Sequence, residues 1–173
     1  DYVTMLDTKQ VSIGQAAIVI AIAELLQKNP QMTLSEAVSA SKALSARTRM
    51  CFLPDNLEFL KAGGRVSNAV CLGSRILHPC IEIQDGKLVA TKKYRGKMKK
   101  IARQLILDYI ENYNLDRSIL WFVRTVGLSD DVRIIAEETA KECGFQKIQW
   151  LQANGVITTH GGPAAFGLAG FTE

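Results

Sequence analysis

The chain predicts an α/β fold in which a mixed β-sheet is packed with helices, and three stretches support that prediction. Residues 80–84 and 87–91 are apolar-alternating runs joined by Asp85-Gly86, the two-residue signal of an antiparallel hairpin. With that turn Ile83 faces Leu88 and Ile81 faces Ala90, which sets all four side chains on one face. Residues 118–124 read as a strand buried on both sides, residues 129–143 as a helix opened by Ser129 and closed by Gly144, and residues 146–151 as the next strand. Strand, helix and strand with short connections form a βαβ unit, so these two strands are expected to run parallel. Residues 97–113 supply a covering helix, with Met98, Ile101, Ala102, Leu105 and Tyr109 on one face.

The other elements follow from local signals. Residues 2–6 read as a short buried strand, and Asp7-Thr8-Lys9 as a polar exit loop. Ser12 and Gln15 fit a capping box that opens a helix to about residue 28, apolar nearly all round and therefore expected between layers. Asn29-Pro30 stops it, and Thr33 with Glu36 opens a second helix to about residue 46. Residues 48–53 read as a strand ended by Pro54. Asp55 with Glu58 repeats the box chemistry for a short helix over 56–62, closed by Gly63-Gly64 with one glycine left-handed. Ser67 opens a further short helix to about residue 76.

With 47% hydrophobic and 22% charged residues the 173-residue chain can build a sizeable core, and its net charge of +4 does not by itself indicate a nucleic-acid partner. Cys51, Cys71, Cys80 and Cys143 show no CxxC spacing, so they read as reduced thiols of a cytoplasmic protein and not as a zinc site. No signal peptide is visible, and the longest apolar run, 16–23, is too short to span a bilayer. The chain starts at Asp1, without Met, on a strand-like stretch, and so reads as part of a longer protein.

The candidate site lies near the end, in residues 156–171 (VITTHGGPAAFGLAGF). Val156 and Ile157 read as the end of a strand, Thr158, Thr159 and His160 as polar groups at its exit, and Gly161-Gly162-Pro163 as a bend that lets a ligand approach the backbone. Two readings stay open: a loop that presents donors to a small anion, or a plain turn between core strands. Arg65, after Gly63-Gly64, holds a planar fork suited to carboxylate or phosphate, or is a surface arginine at a helix end. His78, next to Pro79, reads as structural. A basic stretch (Lys87, Lys92, Lys93, Arg95, Lys97, Lys99, Lys100 and Arg103) is a solvated face, a docking face or a nucleic-acid face; with Tyr94 as its one aromatic it offers no stacking platform. No nucleophile elbow, Walker motif, kinase signature or metal cluster stands out, so no catalytic residue, metal or cofactor is assigned.

ITTHGGPAAFG resembles the C-terminal signature of the DegV family, bacterial proteins that bind fatty acids. The family usually runs T-H-(T/G)-G-P-G-A-(L/F)-G, and here Ala164 stands where the third glycine is usual. Residues 52–77 (FLPDNLEFLKAGGRVSNAVCLGSRIL) and 85–97 (DGKLVATKKYRGK) resemble the family in the same order, with about two residues fewer than the pattern between Leu77 and His78. The resemblance spans the chain but only the rear part of the family's length. It implies the tail of a first α/β domain over 1–47 and a C-terminal mixed-sheet lipid-binding domain over 48–173.

The resemblance further implies a non-catalytic carrier that holds a long-chain fatty acid and presents its carboxylate to a separate ATP-dependent fatty acid kinase subunit. The product would be acyl phosphate for phospholipid synthesis. It implies carboxylate contacts from His160, Thr158, Thr159, Arg65, Gly161 and Gly162, supplemented by first-domain loops, and partner docking through Arg65, Lys93 and Arg95. The acyl tail would lie among 11–26, 66–76 and 165–171. Roughly ten buried methylenes would supply ~8 kcal/mol before ordering costs, on the order of micromolar binding. Two other readings stay open: a small-carbonyl binder like the subunits of dihydroxyacetone kinase, and a nucleic-acid module using the basic hairpin.

Overall fold

A computed structural model describes residues 3–67 and 77–173. The helix expected from Ser67 to residue 76, Cys71 and most of the apolar tract 66–76 lie outside them. The described elements are α1 (Ser12–Lys28), α2 (Leu34–Arg47), β1 (Thr48–Leu53), α3 (Glu58–Ala62), β2 (Leu77–Gln84), β3 (Lys87–Arg95), α4 (Met98–Tyr113), β4 (Ile119–Arg124), α5 (Asp130–Glu142), β5 (Lys147–Gln152), α6 (Gly155–Gly161) and β6 (Phe166–Phe171). The strands form one mixed sheet in the order β3-β2-β1-β6-β4-β5. Only β4 and β5 pair parallel; β6 runs antiparallel to both β1 and β4.

Both sheet faces are covered, which explains the continuous apolar runs. Leu120 and Phe122 of β4, with Cys51, Leu53, Phe166 and Leu168, face α4 and α5. Trp121 and Val123, with Met50, Ala169 and Phe171, face Ile13, Ala17 and Ile18 of α1. A smaller cluster sets Leu57 and Leu60 of the α3 segment on Ile81. The hairpin register is the expected one, Ile81 opposite Ala90 and Ile83 opposite Leu88. Positive φ at Asp85 (47°) and Gly86 (76°) is what a two-residue turn between twisted strands requires.

Several expectations are corrected. Residues 3–6 form no strand, and Val3 and Met5 are exposed: none of the described strands lies beside them to pair. Ser12 does not cap α1; Val11 is the N-cap, no side chain caps it, and Ser12 has φ 51°. Helix α1 is buried on one face and not all round, since Val19 is 57% exposed. At α3 the Asp55–Glu58 box is absent and the helix starts later, with the Glu58 amide donating to Asn56 Oδ1 at 3.0 Å. The Thr33–Glu36 box of α2 is complete in both directions. Gly64, at φ 68°, supplies the left-handed residue after α3.

One polar network ties the hairpin to α4. Glu82 is buried and accepts from Tyr113 Oη (2.6 Å), Thr91 Oγ1 (2.9 Å) and Gln84 Nε2 (3.2 Å). Burial, and then the bond to Glu82, push the Tyr113 phenol above its ordinary pKa. Tyr113→Phe keeps the ring on Tyr109 but removes one donor from a buried carboxylate. We expect a loss of about 1–3 kcal/mol, read as a lower urea midpoint at unchanged slope; an unchanged midpoint would show that solvent replaces the hydroxyl.

Asp108 of α4 also reaches the hairpin, accepting from Lys92, from Tyr94 Oη (2.8 Å) and from Gln104 Nε2 (2.8 Å). Burial opposes ionisation of Asp108, but the hydrogen bonds from Lys92, Gln104 and Tyr94 outweigh it and hold the carboxyl below its ordinary pKa. A depressed folded pKa adds stability that is fully present above the unfolded value of about 3.9 and is lost as pH falls through the folded one. Asp108→Asn is therefore expected to lower stability at neutral pH and to flatten its decline below about pH 4, measured by urea unfolding across pH. Parallel curves for the two proteins would refute this.

Candidate functional site

A cavity of about 270 Å³ opens between the C-terminal ends of β1 and β4, the start of β6, and helices α3 and α6. Met50, Phe52, Leu60, Leu88, Val123 and Phe166 make most of its wall. Its polar side chains include Arg65, Arg124, Thr125 and His160, and no Asp or Glu is among the described residues that line it. Such a lining favours an apolar body with an anionic end.

Helix α6 explains how His160 is presented. Residues 155–161 are helical, not a strand and its exit loop as expected. The β-branched run Val156-Ile157-Thr158-Thr159 favours a strand, but Asn154 overrides it: its side chain accepts from the Ile157 amide at 3.2 Å and caps the helix. The Thr158 and Thr159 hydroxyls donate to the Asn154 and Gly155 carbonyls at 2.9 and 2.8 Å, and neither residue lines the cavity. His160, in the last turn, does. Its Nδ1 is buried without a hydrogen-bond partner among the described residues. A ring carrying its proton on Nε2 leaves no unmatched N–H at Nδ1 and makes Nε2 a donor.

The glycine segment after His160 is braced by the β4 exit. The Gly162 amide donates to the Thr158 carbonyl (2.8 Å), Pro163 has no amide hydrogen, and the Ala164 amide donates to the Val126 carbonyl (2.8 Å). The Ala165 amide donates to Thr125 Oγ1 (2.8 Å), while the Thr125 amide donates to the Ala165 carbonyl (3.1 Å). Gly161 lines the cavity; Gly162, at φ 80°, packs beneath the Phe59 ring.

Arg65 reaches the same cavity from α3, and its Nη1 donates to the Gly63 carbonyl at 2.7 Å. The structure thus brings Arg65, His160 and Gly161 together. Arg124 was not singled out by sequence: it ends β4, lines the cavity, and has no hydrogen bond or ion pair from its guanidinium among the described residues. Of the tracts expected to hold an acyl tail, Val11 and Ser12 of the first and residues 165–167 of the last line the cavity, while Ile13, Ala17 and Ile18 are core. Lys93 and Arg95 lie on exposed edge strand β3, opposite Pro79 and Leu77, and do not line it. Part of the basic stretch is neutralised: Lys92 pairs with Asp108, and Arg103 with Glu142 at 2.8 Å.

The family model described as uncharacterised protein, DegV family, matches residues 1–173. The chain belongs to the DegV family. A DegV domain-containing protein of Deinococcus radiodurans is 27% identical over 171 residues, covering 96% of this chain and 59% of the relative. Among solved structures, a fatty-acid-binding DegV family protein from Thermus thermophilus superposes with TM-score 0.81 at 24% identity, over 98% of this chain and 61% of that one. The fatty acid kinase (Fak) B3 protein of Streptococcus pneumoniae, loaded with linoleic acid, superposes with TM-score 0.86 at 15% identity, over 98% and 60%. The DegV chain described here therefore spans about three-fifths of the length of these proteins.

The DegV signature usually has glycine where this chain has Ala164, and the structure shows the reason glycine suits it: Ala164 sits at φ 55°. A side chain in the left-handed region costs about 1–2 kcal/mol, while glycine adds roughly 0.4–1 kcal/mol of unfolded-state entropy. Ala164→Gly is expected to stabilise the protein by about 0.5–1 kcal/mol, raising Tm by roughly 1–3 °C. A lower Tm in calorimetry would show that the methyl is packed and not strained.

Proposed function

We propose that this DegV protein binds a fatty acid, with the tail in the apolar cavity and the carboxylate at Arg65 and His160. The observation that carries the proposal is an apolar cavity whose polar lining includes two arginines and a histidine and no described acid. Arg65 supplies charge and a planar fork, His160 a neutral Nε2–H donor, and the apolar walls the binding energy of the tail. The reading retains Gly161 at the cavity, and Thr158, Thr159 and Gly162 as the turn that positions His160. A fatty-acid-binding DegV family protein and a protein loaded with linoleic acid support it by fold.

We further propose that the protein is the non-catalytic partner of a separate ATP-dependent kinase that phosphorylates the bound carboxylate. The support is the structural likeness to the fatty acid kinase B3 protein. Arg65, Lys93 and Arg95 would meet the kinase, Arg65 at the carboxylate and the other two on the exposed edge strand. The small-carbonyl reading is less well supported, because so apolar a wall offers a small polar ligand few partners. The nucleic-acid reading loses Lys92 and Arg103 to intramolecular pairs.

Organic extraction and mass spectrometry of the full-length protein should recover near-stoichiometric fatty acid. In the same protein His160→Ala should lower affinity roughly tenfold or more, as for a bond to a charged group, with little change in Tm. Repeated extraction without fatty acid, after incubation with a mixture of acids, would overturn the proposal. Arg95→Glu should keep lipid content and slow kinase-coupled phosphorylation most at low salt. Normal rates at every salt concentration would reduce the basic strand to a solvated face.

A further inference from the structure

Gly63 and Gly64 are adjacent glycines with different physical requirements. Gly64 has φ 68° and open space where a Cβ would go, so its constraint is conformational. Gly63 has φ −76° and ψ −1°, a right-handed helical conformation that any residue adopts. A Cβ at Gly63 would lie 2.5 Å from His160 Nδ1 and 3.2 Å from His160 Cε1. Its constraint is space, and the group that occupies the space is the imidazole. The Gly63 carbonyl meanwhile accepts from Arg65 Nη1 at 2.7 Å. One residue thus seats the imidazole by lacking a side chain and holds the guanidinium through its backbone.

A second contact of the same kind lies one turn away. A Cβ at Gly162 would lie 2.8 Å from Phe59 Cδ2. Each short helix therefore offers a glycine to an aromatic ring of the other: α3 takes His160 of α6 at Gly63, and the end of α6 takes Phe59 of α3 at Gly162. The ring of His160 is fixed between Gly63 and the cavity, with no hydrogen bond at Nδ1 among the described residues to hold it otherwise.

We infer that Gly63 is a positioning residue for the anion-binding pair, setting the His160 ring by contact and the Arg65 guanidinium by its carbonyl. This deepens the proposed function and rests on it for the binding consequence, but not for the geometry. In Gly63→Ala the backbone is unstrained and the flexible partner is a side chain, so the imidazole rotates away and the fold persists. The geometric claim has a ligand-free readout. This sequence holds two histidines, His160 and His78, and the imidazole signals that vanish in His160→Ala and in His78→Ala assign them by NMR in the full-length protein. Gly63→Ala should move the His160 signals and change its tautomer pattern, leaving those of His78 in place.

The binding claim is tested with oleic acid and the full-length protein in a double-mutant cycle. Gly63→Ala should weaken binding roughly tenfold when His160 is present, and less than about twofold in a His160→Ala background, where the added methyl has room. Equal losses in both backgrounds, or unmoved His160 resonances, would overturn the inference. If the resonances move while His160→Ala itself leaves oleate binding unchanged, the positioning geometry stands and the proposed carboxylate site fails. Gly64→Ala is the control: it should lower Tm through backbone strain and leave the His160 resonances where they are.

Discussion

The architecture depends on β6 being thin. The strand is hydrogen-bonded on both edges, to β1 and to β4, and every residue of it is buried. It can be both central and sandwiched because Gly167, Ala169 and Gly170 stand among its larger residues: at Gly167 a Cβ would come within 2.8 Å of Val123 Cγ1 and 2.9 Å of the Cys51 carbonyl. A larger residue there would push apart the two halves of the sheet, the antiparallel hairpin side and the parallel βαβ side. The same smallness creates the cavity, whose lining includes Gly167 where the faces of β1 and β4 diverge toward α3 and α6. The close packing of the sheet and the lining of the cavity therefore meet at one residue, Gly167.

Elements whose local and long-range preferences agree were legible in the sequence. The hairpin carried both a turn dipeptide and a matching alternation; α4 carried a clean apolar stripe; β4, α5 and β5 carried length and a short-loop rhythm, although Ser129 stands at the α5 N-cap without a side-chain bond to the helix amides. Legibility failed where one local signal opposed another. In 155–161 four β-branched residues point to a strand, and a single asparagine cap with the following glycine bend decides for a helix. Ser12 and Asp55 matched a capping pattern that the backbone does not use, whereas Thr33 matched one that it does. Such boxes are three-residue spacings of common side chains, and only the chain's path into the helix distinguishes them.

The site was legible at its polar end and opaque at its apolar one. Arg65 and His160 stand out because each follows or precedes a glycine pair, and the structure places both at one cavity. The walls include Phe52, Leu60, Leu88 and Val123, drawn from four different elements, and nothing in their local pattern differs from core. Arg124 was hidden for a related reason: at the end of a buried strand it reads as the residue that meets solvent, and only the tertiary structure shows it beside the cavity.

The bracing of the segment after His160 has a consequence for how recognition can change. Many anion sites are moulded from main-chain amides, so their preference is written into the path of the backbone and resists revision by point substitution. Here the amides of Gly162, Ala164 and Ala165 already have partners within the protein, and proline occupies the remaining position. Under the proposed function, head-group discrimination resides in side chains hung on this braced segment. A lineage carrying this frame could exchange one anionic head for another through two or three substitutions, at no cost to the sheet beneath.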